Sequence, residues 1–212
     1  MPNSKSRRRK LNASPKSVFL NIPYDARFEN LFLAYIAATS AFGFVPRATL
    51  EIPFSRRRLD RITDLIENCE YSIHDLSRVQ LDRTRPSTTR FNMPFELGLA
   101  VGIKTRRGKP EHAWVVFESQ AHRIQKSLSD LNGTDVYIHG ATTMGVFREF
   151  GNIFVRSHRQ PSVQQMRAIY RVLRGSLKVV LRKAGQRSPF NARVFRDLCV
   201  IAIAVANSAI TE

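Results

Sequence analysis

Short apolar runs alternate along the chain with longer segments of helical periodicity. SVFLNI, from Ser17, reads as a strand stopped by Pro23. ENLFLAYIAATSAF carries a helical pattern that ends at Gly43, a natural C-terminal cap. FVPRATLEI predicts a second, weaker strand. RRLDRITDLIENC places Leu59, Ile62, Leu65 and Ile66 at the spacing of an amphipathic helix. EYSIHDL predicts a third strand, followed by a polar loop, SRVQLDRTRPSTTR, and a helix over MPFELGLAVGI. AWVVF and TDVYIHG predict strands four and five, with a helix over SQAHRIQKSLSDL between them. Strands separated by helical segments of this length need crossover connections, and so a parallel sheet. Beyond about Asn152 the pattern is helical throughout, in SVQQMRAIYRVLRGSLKVVLRK and ARVFRDLCVIAIAVANSA. The expected organisation is a disordered arm over 1–16, an α/β domain over 17–157 and a helical extension over 158–212.

Charge sharpens that division. The chain of 212 residues carries a formal net charge of +17. Residues 1–17 hold six Lys/Arg and no acid, residues 18–155 seventeen against fifteen, and residues 156–212 eleven against two. The middle is balanced, and two basic extensions flank it. In the second, Arg167, Arg171, Arg174, Lys178 and Arg182 fall on one helical stripe beside an apolar face of Met166, Ile169, Tyr170, Leu173, Leu177 and Val180. Such a helix suits non-specific, salt-sensitive contact with nucleic-acid phosphates, or an anionic membrane surface, or packing with its charges in water. The final apolar helix suits core closure or a homodimer interface.

The two cysteines, Cys69 and Cys199, belong to no CxxC or Cys/His cluster, which fits a reducing cytoplasm and disfavours a disulfide scaffold or structural zinc. No secretory leader follows the basic start, and the longest apolar run, LCVIAIAVA, is too short to span a bilayer. His112, His122 and His158 have no metal-ligand spacing. No GxxxxGK or GxGxxG loop and no Ser/His/Asp order is present, which disfavours an ATPase or a Rossmann dehydrogenase.

In an open parallel sheet, ligands bind outside the carboxyl ends of the strands. The polar residues expected there are Asn21, Tyr24 and Asp25 after strand one, with Pro23, and Glu51 after strand two. Asp75 and Ser77 follow strand three, Glu118 ends strand four, and His139 ends strand five. His74 should point to the sheet face opposite Asp75. Glu96 sits near the start of the third helix among Phe95, Leu97, Leu99, Ala100 and Val101, which leave it little polar face. A helical Glu is ordinarily a solvated surface residue, and Asp75 could equally brace its loop. Carboxylates brought together at one rim raise one another's pKa, a frequent property of acid/base and nucleophilic sites.

VFLNIPYDARFENLFLAYIAATSAFGFVPRATLE, ENCEYSIHDLSRV, RFNMPFELGLAVG and SLSDLNGTDVYIHG together resemble a family of bacterial TIR-like, nucleoside 2-deoxyribosyltransferase-like proteins. The resemblance covers residues 17–155. It implies a flavodoxin-like α/β fold, five parallel strands in the order 2-1-3-4-5 with helices on both faces. It further implies a nucleotide-binding domain that cleaves an N-glycosidic bond of NAD or a related nucleotide or nucleoside, in bacterial defence or signalling. By this resemblance Glu96, in Phe95-Glu96-Leu97-Gly98, matches the glutamate that attacks the anomeric carbon, and Asp75 the aspartate that holds base or sugar. The chain departs from the deoxyribosyltransferases in having no aspartate over Thr88-Thr89-Arg90-Phe91-Asn92, where Asn92 would serve as an anchor. It also lacks the Trp-Cys pair of the TIR enzymes. Arg58 and Arg61, with Arg56 and Arg57, could bind a pyrophosphate, although Arg56 and Arg57 equally suit a solvated helix start. No cofactor or metal is required, and NAD or a nucleotide would be the substrate. The alternative is a non-catalytic nucleotide-sensing module whose basic arms recruit nucleic acid or a protein partner.

Overall fold

The computed structural model describes residues 15–51, 57–79, 85, 88–106 and 112–208, the side chains of 104–106 excepted. Most of the N-terminal arm and Arg56 lie outside the described residues. Five strands form one sheet: β1 (Ser17–Asn21), β2 (Val45–Arg47), β3 (Tyr71–Asp75), β4 (Ala113–Glu118) and β5 (Val136–Ile138). All pairings are parallel, in the order β2-β1-β3-β4-β5. Seven α-helices accompany them among the described residues: α1 (Glu29–Ala41), α2 (Arg58–Glu67), α3 (Asn92–Arg106), α4 (Arg123–Ser127), α5 (Thr143–Ile153), α6 (Val163–Ala184) and α7 (Ala192–Ser208). This is the flavodoxin-like α/β arrangement, with a C-terminal helical part.

Helix α1 organises one side. Every residue from Leu31 to Ala41 is buried. A helix apolar on all faces has to be covered all round, and α5, α6 and α7 pack against α1 on the sides the sheet leaves open. Met166, Ile169, Leu173 and Leu177 of α6 and Phe195 and Leu198 of α7 join Phe32, Tyr35 and Phe117 in a single core. The C-terminal helices therefore share their core with the sheet. The opposite face of the sheet carries α2 and α3 over two smaller apolar clusters.

Local chemistry sets the boundaries. Helix α1 ends in a Schellman motif, with Gly43 at φ +79°, Gly43 N–H donating to Ser40 O and Phe44 N–H to Thr39 O. Helix α6 starts with a Ser162/Gln165 capping box and ends at Gly185, φ +66°. Strand β2 is shorter than its sequence suggests. Pro46 restricts it to a three-residue edge, and residues 49–51 turn into a 3-10 segment. The fourth helical segment is likewise brief, with α4 followed by a 3-10 turn at 129–131. Helix α5 was not expected from the pattern. It fills TMGVFREFGNI with Val146, Phe147 and Phe150 in the core.

Candidate functional site

The carboxyl ends of β1, β3, β4 and β5 carry Asn21, Asp75, Glu118 and His139, all at most 1% exposed. Asn21 ties the rim to α3 by donating from Nδ2 to Met93 O at 3.0 Å. That bond holds the first turn of α3 against β1 and sets Glu96 at the edge of the sheet. Glu96 is 3% exposed, and its Oε2 has no hydrogen-bond partner. Phe91 and Phe95, by contrast, are 71% and 55% exposed. This segment buries its carboxylate and presents its rings, the reverse of the usual preference. Burial pushes the Glu96 carboxyl up to about 7, against the opposing pull of the Arg58 guanidinium.

The same two charges act on Tyr24. Its hydroxyl lies 3.2 Å from Thr49 Oγ1. Burial raises its pKa, Thr49 opposes that, and the Glu96 charge adds to the rise. Tyr24, Thr49, Arg58 and Glu96 thus form one group around the carboxyl end of β1, on its β2 side. Arg58 is the exposed first residue of α2, whereas Arg61 is half-buried one turn on.

A second group lies behind it. Asp75 has no exposed surface, and protein donors occupy its oxygens. Tyr35 OH donates to Oδ2 at 2.8 Å, and Ser77 N–H to Oδ1 at 2.8 Å. His139 Nδ1 accepts from Ala141 N–H at 3.0 Å, which leaves the ring proton on Nε2. That nitrogen is 3.2 Å from Asp75 Oδ2, ion-pair distance, but off the line of a hydrogen bond. Burial and the Asp75 charge hold the Tyr35 hydroxyl well above its ordinary pKa. Glu118 is clamped by Arg123, from Nε at 2.8 Å and Nη2 at 2.6 Å, and also accepts from Ser119 N–H. Arg123 Nη2 reaches on to Ser77 O at 2.7 Å, so the loops after β3 and β4 are fastened together. Asp75, Ser77, Glu118 and His139 are brought together in the form of a closed brace.

The remaining expected residues are placed differently. Asp25 receives Arg78 Nε at 3.2 Å and Arg90 Nη1 at 3.1 Å, which joins the loop after β1 to the segment before α3. Glu51 turns back onto Arg47 Nε at 3.0 Å and Ala48 N–H at 2.9 Å, staying on the edge strand. Pro23 is buried, and Asn92 is the exposed first residue of α3. Arg167, Arg171, Arg174, Lys178 and Arg182 are all exposed on α6, with the Arg174 guanidinium bonded to Asn30.

Sequence reasoning missed Tyr35, Thr49, Arg78, Arg90, Arg123 and Gly145. Most of their partners are distant in the chain, and no local signal marks them. Gly145 is an exception: a glycine in the first turn of a helix marks a close approach, here to the carbonyl of His139. His74, on the opposite face from Asp75 as expected, belongs to a buried relay. Asn21 Nδ2 donates to His74 Nδ1 at 2.9 Å, His74 Nε2 meets Ser72 Oγ at 2.9 Å, and Ser72 Oγ meets His112 Nε2 at 3.0 Å. His112 Nδ1 ends the chain on Cys69 O at 2.8 Å. Burial and the neighbouring His112 pull the His74 imidazole down to about 3, so it stays neutral.

Among the described residues no three His, Cys, Asp or Glu side chains gather in a metal-holding cluster, and no helix is long and apolar enough to cross a membrane. Comparison with protein-family models, curated proteins and solved structures finds no match to this chain.

Proposed function

We propose that the rim around Glu96 binds a nucleotide or nucleoside and cleaves its N-glycosidic bond. The observation that carries this reading is a carboxylate 3% exposed, with an unpartnered oxygen, at the carboxyl edge of a parallel sheet. Burying an unpaired carboxylate is costly, and such groups concentrate where chemistry uses them. Breaking a C1′–N bond sends the bonding pair to the base and leaves positive charge on the sugar. A desolvated carboxylate beside that carbon stabilises the charge electrostatically, or closes on it as an ester that water or another acceptor then opens. Nicotinamide departs from a cationic nitrogen as a neutral molecule and needs no acid; a neutral base needs a proton. Arg58 supplies positive charge for phosphate oxygens. Arg78 and Arg90 share one carboxylate, Asp25, and leave a second cationic spot. Phe91 and Phe95 offer ring faces for a base. Asp75, enclosed by Tyr35, Ser77 and His139, acts as a positioning residue that holds the loop after β3.

A sensing module that binds the nucleotide without cleaving it is the second reading, favoured by the brace that engages both oxygens of Asp75. The purified chain, incubated with NAD, nucleotides and nucleosides and assayed for free base by chromatography, separates the two. Release of base by the wild type and none by Glu96→Gln, with binding retained, supports cleavage. Unchanged release by the variant removes Glu96 from the mechanism, and a ligand-induced thermal shift with no product supports sensing.

A further inference from the structure

A concave site lies at the opposite, amino edge of the sheet. A cavity of about 620 Å³ opens among the starts of the central strands, the end of α1 and the connection from α5 to α6. Its volume falls within the range of small-molecule sites, about 300–1,000 Å³. Aromatic rings floor it: Phe154 lies 4.9 Å from Phe44 and 5.1 Å from Tyr71, centroid to centroid. Val115 and Tyr137, both half-buried, form a wall on β4 and β5. These side chains are partly uncovered because α5 ends at Ile153.

The polar lining has one sign. Among the described residues Lys16, Arg156 and Arg159 reach the cavity, and no carboxylate lines it. Glu70, next to Tyr71, is turned onto the Ser17 N–H at 2.7 Å. Lys16 Nζ stands 5.7 Å from the Tyr71 ring centroid. Arg159 is held flat across Gly43, where a Cβ would come within 2.8 Å of its Cδ and Nε. From there Nη2 donates to Asn207 Oδ1 at 3.1 Å, while Nη1 is shielded from solvent and meets no acceptor. Three cationic side chains around one aromatic-floored cavity suit an anion.

From this combination we infer that the cavity binds an aryl anion, a planar ring bearing a carboxylate or phosphate. The ring lies among the aromatic side chains and the anionic end meets Lys16, Arg156 and Arg159. The site shares no residue with the group around Glu96, so it does not rest on the function proposed for that rim.

The test is a fluorescence titration of the full chain with two probes of similar shape, anionic 8-anilinonaphthalene-1-sulfonate and neutral N-phenyl-1-naphthylamine. One molecule of the anionic probe binds in preference to the neutral one. Arg156→Gln, at an exposed position, and Arg159→Gln each weaken the anionic probe about fivefold or more and leave the neutral one unchanged. Val115→Phe, which fills the wall, weakens both. Displacement by 1-naphthoate or by AMP then assigns the anion as carboxylate or phosphate. Equal binding of the two probes, an anionic probe indifferent to both arginine substitutions or to Val115→Phe, or displacement by neither competitor would overturn the inference.

Discussion

Replacing Glu96 with Gln removes a charge at the rim while keeping its shape, and the consequence for stability can be worked from the structure. Burial holds the Glu96 carboxyl at about 7 in the folded chain, against an ordinary 4.5. In the unfolded chain the group releases its proton near the ordinary value. Between those values the unfolded state binds fewer protons than the native state, so stability falls as pH rises. At about 1.4 kcal/mol per pH unit, the gap amounts to about 3 kcal/mol lost between pH 4 and pH 8. Glutamine does not titrate, so the variant escapes that loss. The amide's own packing and hydrogen-bonding cost is the same at every pH and cancels when pH values are compared. Urea unfolding of both proteins at pH 4 and pH 8 measures the difference. With a slope of about 2 kcal/mol/M, the midpoint of Glu96→Gln relative to wild type should move up by about 1–2 M between pH 4 and pH 8. Other titrating groups are common to both proteins and drop out. Midpoints that keep a constant offset within about 0.25 M would show that Glu96 is not desolvated, and the argument for its role would fall with it.

Gly145→Ala forces a Cβ into the His139 carbonyl, so it should lower stability by about 2–4 kcal/mol in urea unfolding; a loss under about 0.5 kcal/mol would refute the close approach. The buried relay fixes ring protons at His74 Nε2 and His112 Nδ1, and nitrogen NMR should find both tautomers at pH 7 and a disturbed His74 in Ser72→Ala. Either ring carrying its proton on the other nitrogen would contradict the chain of bonds. The exposed stripe on α6 predicts retention on nucleic acid at low salt that weakens steeply as salt rises and weakens further in Arg171→Gln/Lys178→Gln; no retention at low salt would assign those charges to solvation alone, and retention indifferent to salt would contradict a phosphate contact.

The strands and most helices follow from local pattern, whereas the strand order came from the resemblance. SVFLN and AWVVFE are apolar runs bounded by turn residues, and α1 is marked by its length and its glycine stop. The helix α5 escaped because Gly145 and Gly151 weaken its local propensity. Gly145 is there for the His139 carbonyl, a contact set by tertiary structure. The basic face of α6 was legible, but the destination of its apolar face was not, since an amphipathic stripe fits a core, a partner or a lipid surface equally well. That it covers α1 depends on helices more than a hundred residues apart. At the rim, the burial of Glu96 was legible from its greasy neighbours. The brace around Asp75 was not, because Tyr35, His139 and Arg123 reach it or its loop from separate elements.

The central claim is that Glu96 meets a sugar at the sheet rim and supports loss of its base. It is tested most directly by the pH dependence of base release from NAD and from nucleosides, in wild type and in Glu96→Gln. The account predicts that wild-type release rises through about pH 7, as the buried carboxyl gives up its proton, and that the variant releases none at any pH while still binding ligand. Release by the variant at the wild-type rate would contradict it.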